Sequence, residues 1–408
     1  MVMNTKKTIV QINSFNFGST GKIMLQTAQA AEQQGFEVFV CYPQSRDNGK
    51  KEVKNSILIG NRYLRNLHLQ LAKFTGYNGC FSYFSTINFL RKLKKIKPDV
   101  IHLHNLHNCY INLPLLFRYI KKNDIPVVWT LHDCWALTGQ CPHFVMADCD
   151  KWKTGCHHCP SYKAYPAAHV DRTKTMWRLK KKWFTGVKDL TIVTPSQWLA
   201  DLVKESYLRD YPVRVIYNGI DLSVFKPTES DFRKKYNCEN KKILLGVAFP
   251  WRKQKGLDVF IELSKRLGDE YQVVLVGTTD EVDKQLPDNI ISIHKTNNQT
   301  ELAEIYTAAD LFLNPTREDT FPTVNMEALA CGTPVITFRT GGSPECVDEA
   351  CGIVVPCDDV DAMEKAILYV DKNKFERQSC TQRTKGFQND NMVNQYCEMY
   401  AAKAEGIK

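Results

Sequence analysis

Hydrophobic residues along the chain fall into short β-branched runs separated by longer stretches at helical spacing. KTIVQIN is a strand-like run, SFNFGSTGK a Gly, Ser and Thr loop, and IMLQTAQAAEQQG has the period of a helix closed by a glycine. FEVFVCY returns as a strand, and PDVIHLHN, IPVVWTLHD and LTIVTPS follow, each ending in polar residues that open a loop. Strands alternating with helices build parallel βαβ units, whose ligand loops gather at the carboxyl ends of the strands. His104, His132 and Ser196 fall at such ends.

A second series begins after YPVRVIYNGIDLSVFKP, whose Pro and Asn-Gly punctuation reads as a linker. It continues with KKILLGVA, YQVVLVGT, IISIHK, ADLFLNP and GTPVITF, again with helical segments between. The predicted class is therefore α/β, with two Rossmann-like domains and a cleft between them. The first covers residues 1–211, the second 212–385, and residues 386–408 form a terminal helix. No repeat at solenoid periods and no low-complexity tract interrupts the pattern.

At 408 residues the chain is too long for one ordinary core, which agrees with two domains. With 43% hydrophobic and 24% charged residues it has the composition of a soluble globular protein, and no run approaches the roughly 18 apolar residues of a spanning helix. The apolar positions after the N-terminal lysines are too few for a signal peptide, so the cytoplasm is the expected compartment. There the 15 cysteines should be mainly thiols, buried fillers or metal ligands. The net charge of +10 suits nucleic acid, an anionic membrane surface or a phosphorylated ligand equally.

The most specific stretch is EDTFPTVNMEALACGTPVI, residues 318–336. A strand runs out into a loop, and a helix starting near Pro322 or Thr323 ends at Gly332. The free N–H groups and positive dipole end of such a helix seat a phosphate or a nucleotide-sugar. Glu327, one turn in, can reach a ribose diol, and Asp319 lies in the loop itself. Read without function, Glu327 caps or pairs within its helix, and Glu318 and Asp319 are solvated.

This stretch resembles the donor-site signature of family 4 glycosyltransferases, a carboxylate, seven residues, a Glu and then Ala-Leu-Ala-Cys-Gly-Thr-Pro-Val. That family has the two-Rossmann-domain GT-B fold. Its pattern usually has Glu where this chain has Asp319, with Glu318 beside it. The resemblance implies backbone N–H groups of Thr320 and Phe321 turned to the donor, Asp319 facing the transferred sugar and Glu327 on the ribose. GVAFPWRKQKGLDVF supplies Arg252, Lys253 and Lys255 before Gly256, cations suited to a departing diphosphate. The family's Arg, five residues before its Lys-Gly, is Pro250 here, so either Arg252 does the same work from a shifted place or the backbone is rearranged.

In NFGSTGK, Gly18 and Gly21 can bring bare backbone to the donor phosphates or an acceptor, although their spacing is not that of a P-loop. His132, in TLHDCW, resembles the family's cleft histidine near the donor sugar. His102 and His104 alternate on a strand and read as packing or anchoring groups without a third metal ligand.

The Cys-rich insert, residues 134–160, places Cys141, Cys149, Cys156 and Cys159 at a C-x7-C-x6-C-x2-C spacing. That spacing accommodates a structural zinc, reduced free thiols or, against the compartment, disulfides. The insert resembles loops in family 4 enzymes of capsule, colanic acid and lipopolysaccharide assembly. Basic and aromatic residues crowd RYLRNLHLQLAKFTGYNGCFSYFSTINFLRKLKKIKP, either a surface for anionic lipid headgroups or an ordinary amphipathic helix with a solvated face.

The resemblance implies a retaining glycosyltransferase of surface polysaccharide biosynthesis. It would move a sugar from a UDP- or GDP-sugar to a glycan acceptor, lipid-linked and reached from the inner face of the membrane. No metal cofactor enters catalysis, no nucleic acid is a partner, and the terminal helix crosses back onto the first domain. The alternatives are a GT-B nucleotide-sugar epimerase and a zinc-ribbon nucleic-acid-binding module.

Overall fold

The structure is a computed structural model describing residues 6–45, 48 and 53–406. Contacts divide the chain into two units, residues 1–216 with 393–408, and residues 217–392.

The first unit holds a parallel sheet of β1 (Thr8–Ile12), β2 (Glu37–Pro43), β3 (Ser56–Ile59), β4 (Val100–Leu103), β5 (Val127–Thr130), β6 (Leu190–Thr194) and β7 (Val213–Val215), in the order 3-2-1-4-5-6-7. Its helices are α1 (Gly18–Gln33), α2 (Arg62–Thr75), α3 (Tyr83–Ile96), α4 (Leu113–Lys122), α5 (Thr173–Phe184) and α6 (Gln197–Glu205). Every residue of β1, β4 and β5 is buried, as expected of strands covered on both faces.

The second unit repeats the plan. Strands β8 (Lys242–Val247), β9 (Tyr271–Val276), β10 (Ile290–Ile293), β11 (Leu311–Asn314), β12 (Val335–Phe338) and β13 (Gly352–Val355) form a parallel sheet in the order 10-9-8-11-12-13. Helices α8 (Leu257–Arg266), α9 (Asp280–Asp283), α10 (Gln299–Ala308) and α11 (Thr323–Ala330) connect successive strands, while α7 (Phe232–Lys235) precedes β8 and α12 (Val360–Lys372) and α13 (Arg377–Thr384) follow β13. In both sheets the order reverses beside the first strand, the arrangement that opens a ligand crevice at the carboxyl ends of the strands.

The last helix, α14 (Asn389–Ala404), belongs to the first unit from Val393 onward. Its Tyr400 hydroxyl lies 2.6 Å from His102 Nδ1, and Tyr396 shares a hydrogen bond of 2.9 Å with Thr130. Residues 407 and 408 of the expected terminal helix lie outside the described residues.

Three strands differ from the sequence reading. β3, β7 and β13 have three or four residues each, too few to show a period, and β7 lies inside the stretch read as a linker. Because β7 pairs with β6, the first unit extends through Ile216, and the later division falls after Met392. Ser196 caps α6, accepting the Leu199 N–H at 3.3 Å.

Candidate active site

In the second unit, the loops leaving β8 and β11 meet where the strand order reverses. After β8 the chain passes a buried Trp251, whose indole N–H donates to the Val276 carbonyl at 2.9 Å. It then makes a 3-10 turn over Lys253–Lys255 and reaches Gly256 at φ +74°. A Cβ on Gly256 would stand 2.5 Å from the Pro315 carbonyl oxygen, so the missing side chain lets this turn rest on the loop after β11.

Arg317 stitches the two loops together. Its backbone N–H donates to the Gln254 carbonyl at 2.8 Å, and its buried guanidinium donates to both Asp258 oxygens at 2.8 and 2.9 Å. It also bonds Asp358 and the Lys253 carbonyl. Planar bidentate pairing suits Arg better than Lys here. Within this frame Lys255 Nζ reaches Asp319 Oδ2 at 2.6 Å, both side chains remaining partly accessible.

Asp319 is held from three sides. Its Oδ1 accepts the Phe321 N–H at 3.2 Å, and its carbonyl lies 3.4 Å from the Gly342 N–H. A Cβ on Gly341, whose φ is +54°, would meet that carbonyl oxygen at 1.7 Å. The Gly-Gly pair after β12 therefore packs backbone to backbone against the loop. The Phe321 amide, expected to face a ligand, is instead engaged by Asp319. Phe321 itself is buried against Tyr217, ring centroids 5.0 Å apart, and Thr320 is buried beside it.

Helix α11 begins immediately afterwards with Pro322 at its N-cap. Five of its eight residues are buried, so its axis is fixed by the core and its N-terminal amides point along the strand exits. Glu327, half-buried one turn in, accepts the Tyr306 hydroxyl at 3.1 Å. Glu318 is half-buried, and its carbonyl accepts the Thr316 hydroxyl at 3.2 Å. Arg252 is exposed and opens the 3-10 turn that carries Lys255. The loops after β8 and β11 thus bring cations, carboxylates and a helix amino end together, the groups that anionic and hydroxylated ligands pair with.

In the first unit, Gly18 starts α1 at φ +68° with open space around its α-carbon. A Cβ on Gly21 would lie 2.6 Å from the Asn16 carbonyl carbon, so this glycine serves the approach of the helix to its own loop.

His132 follows β5, with Nε2 3.0 Å from His104 Nδ1. The Gln11 amide, turned so that its NH2 group lies 3.2 Å from His104 Nε2, accepts the Thr27 hydroxyl and the Ala28 N–H. His104 then donates from Nδ1, and His132 carries its own proton on Nδ1. Burial lowers His132 to about 4, against the raising effect of Asp133, so the ring is neutral near pH 7. On Asp133 the raising effect of burial is outweighed by His107, 2.9 Å away, and the carboxyl is lowered to about 2. His102 uses both ring nitrogens, on Tyr400 and on Thr130 at 2.8 Å, and so anchors α14.

The Cys-rich insert packs on the core of the first unit. Cys156 accepts the Gly139 N–H at 3.2 Å, and Cys141 hydrogen-bonds Cys159, which holds the Cys159 thiol below its ordinary value. Lys180, fully buried beneath, donates to the Trp135 carbonyl and to the Thr138 carbonyl at 2.8 Å, with its ammonium 3.6 Å from the centre of the Trp135 ring. A closed tetrahedral thiolate site holds its sulfurs about 3.8 Å apart. Among the described residues the group of three with ligand atoms within 4.8 Å of one another is Asp280, Asp283 and His294. Cys141, Cys149, Cys156 and Cys159 lie near enough to act on one another electrostatically, Cys141 with Cys156 and Cys159, and Cys156 with Cys149.

Comparison with known proteins fits this geometry. The sequence profile described as Glycosyltransferase Family 4 matches residues 20–224, half of the chain, and that of Glycosyl transferases group 1 matches residues 228–387. The chain is 26% identical over 356 residues to the putative colanic acid biosynthesis glycosyl transferase WcaC of Escherichia coli (strain K12), covering 84% of this chain and 85% of that protein. It is 27% identical over 330 residues to the D-inositol 3-phosphate glycosyltransferase of Corynebacterium jeikeium (strain K411), covering 74% and 70%.

Among solved structures, sucrose-phosphate synthase from Thermosynechococcus elongatus superposes with a TM-score of 0.74 at 17% identity, covering 98% of this chain and 100% of that one. Anabaena HepE in complex with UDP does so at 0.66 and 15% identity, covering 98% and 100%. Two parallel-sheet units in this strand order are the architecture of GT-B enzymes. One profile lies over most of each unit, and relatives named as glycosyltransferases span most of the chain: this protein is a glycosyltransferase and belongs to glycosyltransferase family 4.

Proposed function

We propose that the protein transfers a glycosyl group from a nucleoside diphosphate sugar to a hydroxyl of a lipid-linked glycan, with retention of anomeric configuration, during surface polysaccharide assembly. The observation that carries this reading is the Lys255–Asp319 pair at the amino end of α11, beside the strand reversal of the second sheet. Lys255, Arg252 and the α11 amides neutralise the diphosphate, Glu327 takes the ribose hydroxyls, and Asp319 faces the transferred sugar. Support comes also from HepE, a structural neighbour solved with UDP and with UDP-glucose.

In this reaction the bond between the anomeric carbon and the diphosphate oxygen breaks, and one to the acceptor oxygen forms on the same face. The acceptor proton passes to the departing phosphate, which becomes more basic as it leaves. His132, at the end of β5 in the first unit, is neutral and protonated on Nδ1, so what it can offer a ligand is a hydrogen-bond donor. Its protonation state suits it to donation rather than to catalysis as a strong base.

The test is a thermal-shift panel with UDP, GDP, ADP and CMP, followed by radiolabelled transfer from sugars of whichever nucleotide binds. Saturation at about 100 times Kd should raise stability by roughly 2.7 kcal/mol, a shift of a few degrees for a chain of this size. Equal melting in every nucleotide, together with no transfer, would overturn the assignment.

A further inference from the structure

Helix α2 carries three stripes with different surroundings. His68 and Ala72 are its buried residues. One position earlier, and so rotated by about 100°, Tyr63, Leu67, Leu71 and Phe74 form an apolar stripe. All four are exposed, Tyr63 by 84% and Phe74 by 62%. One position earlier again run Arg62, Asn66, Gln70 and Lys73. The apolar stripe thus lies beside the face that packs on the unit and is not covered by it.

The patch extends beyond the helix. His68 Nδ1 lies 2.8 Å from the Ser82 hydroxyl, which brings the start of α3 against α2, and there Tyr83 and Phe84 are exposed by 52% and 74%. The surrounding chain has one sign of charge, because residues 53–98 contain nine Lys and Arg and no Asp or Glu. A large exposed apolar patch on a soluble unit marks an interaction surface. A second copy of the same basic face would be repelled, whereas an anionic lipid surface satisfies the apolar stripe and the cations together. With 14 residues α2 is about 21 Å long, too short to cross a bilayer, and would lie in its interface.

We propose that the α2 face, with the first turn of α3, docks on an anionic lipid bilayer. The inference stands on this helix and does not depend on the donor-site assignment.

Co-sedimentation with phosphatidylcholine vesicles, with and without about 30 mol% phosphatidylglycerol, tests it. The wild type should pellet with the anionic vesicles, less as salt rises, and poorly with the neutral ones. Leu67→Glu/Leu71→Glu should weaken binding at least about tenfold. Arg62→Glu/Lys73→Glu, which alters only exposed or half-exposed heads, should weaken it on the order of fivefold per charge removed. Melting curves confirm that each variant is folded, and the charge pair decides if the apolar pair is not. No vesicle binding by the wild type, undiminished binding by a folded variant, or a dimer that Leu67→Glu/Leu71→Glu dissociates in place of vesicle binding would each overturn the proposal.

Discussion

Lys255 Nζ and Asp319 Oδ2 stand 2.6 Å apart although 64 residues separate them in the chain. They meet because Gly256 lets one loop rest on Pro315 and because Arg317 binds both loops. The pair is partly exposed, so its direct contribution to stability is small, and its charges are available to a ligand. Replacing Lys255 by Met should leave the melting temperature within a degree or two of wild type while lowering kcat about 100-fold or more, as loss of a transition-state cation does. Initial rates and a melting curve of the same preparation check both halves.

Glu327 is already positioned by the Tyr306 hydroxyl. The expected result for Glu327→Gln is a donor KM raised about tenfold with a smaller change in kcat, since a ribose contact is made equally in ground and transition states. Tyr306→Phe should raise KM less, because it frees the carboxylate without removing it. A fall in kcat at unchanged KM in the Gln variant would instead place Glu327 at the reacting carbon.

The Gly341 site tolerates no side chain. Gly341→Ala would place a carbon 1.7 Å from the Asp319 carbonyl oxygen at a backbone angle of +54°. The loop must shift, and the expected loss is at least about 2 kcal/mol of stability together with most activity. Gly18→Ala meets no neighbour within 4 Å, and only its φ of +68° is strained. It should cost about 1 kcal/mol. Urea unfolding of the two variants side by side measures the contrast.

Acid should destabilise the first unit through His132. Its folded value near 4 lies below the ordinary imidazole value of 6.5, so between these pH values the unfolded chain binds more protons. Stability is therefore fully present above about pH 6.5 and falls as the pH drops toward 4. His104, lowered by burial and by its neighbouring histidines, acts in the same direction. In His132→Gln the loss of melting temperature between pH 7 and 5 should be smaller than in wild type. An identical slope would show that the ring is solvated and protonates freely.

Lys180 is buried at no measurable exposure and donates to two carbonyls of the Cys-rich insert. Lys180→Met keeps the volume but orphans those carbonyls, with an expected loss of roughly 2 kcal/mol. Burial lowers the ammonium to about 7 from 10.5. The unfolded chain thus holds the extra proton between these values, and this group adds stability as pH rises through that window. The difference between wild type and variant should widen from pH 7 to 9, which denaturant midpoints at the two pH values will show.

Much of this was legible before folding. The run from Leu311 to Gly332 announces a strand, a loop and a helix, and α11 starts at Thr323 with Gly332 at φ +80° just beyond it. The long buried strands carried their own β-branched signature. What the residues could not show was set by distant partners. Nothing beside Arg317 in the chain points to Asp258 and Asp358, 59 and 41 residues away. β3 is short and largely uncovered, so no alternation marks it. The Cys spacing left a zinc site, free thiols and disulfides open, and nothing in it showed that Cys141 would meet Cys159 or that Cys156 would accept the Gly139 N–H.

The hold of Tyr396 and Tyr400 on Thr130 and His102 has a bearing on biosynthesis. Residues 6–216 leave the ribosome with that side of their sheet unfinished, its histidine and threonine facing water. They wait while the whole second unit is translated. Only when the segment from Val393 onward emerges can the amino-terminal unit close. The earliest part of the polypeptide is thus among the last to reach its final state, and a nascent chain halted within the second unit would present an open sheet face to chaperones.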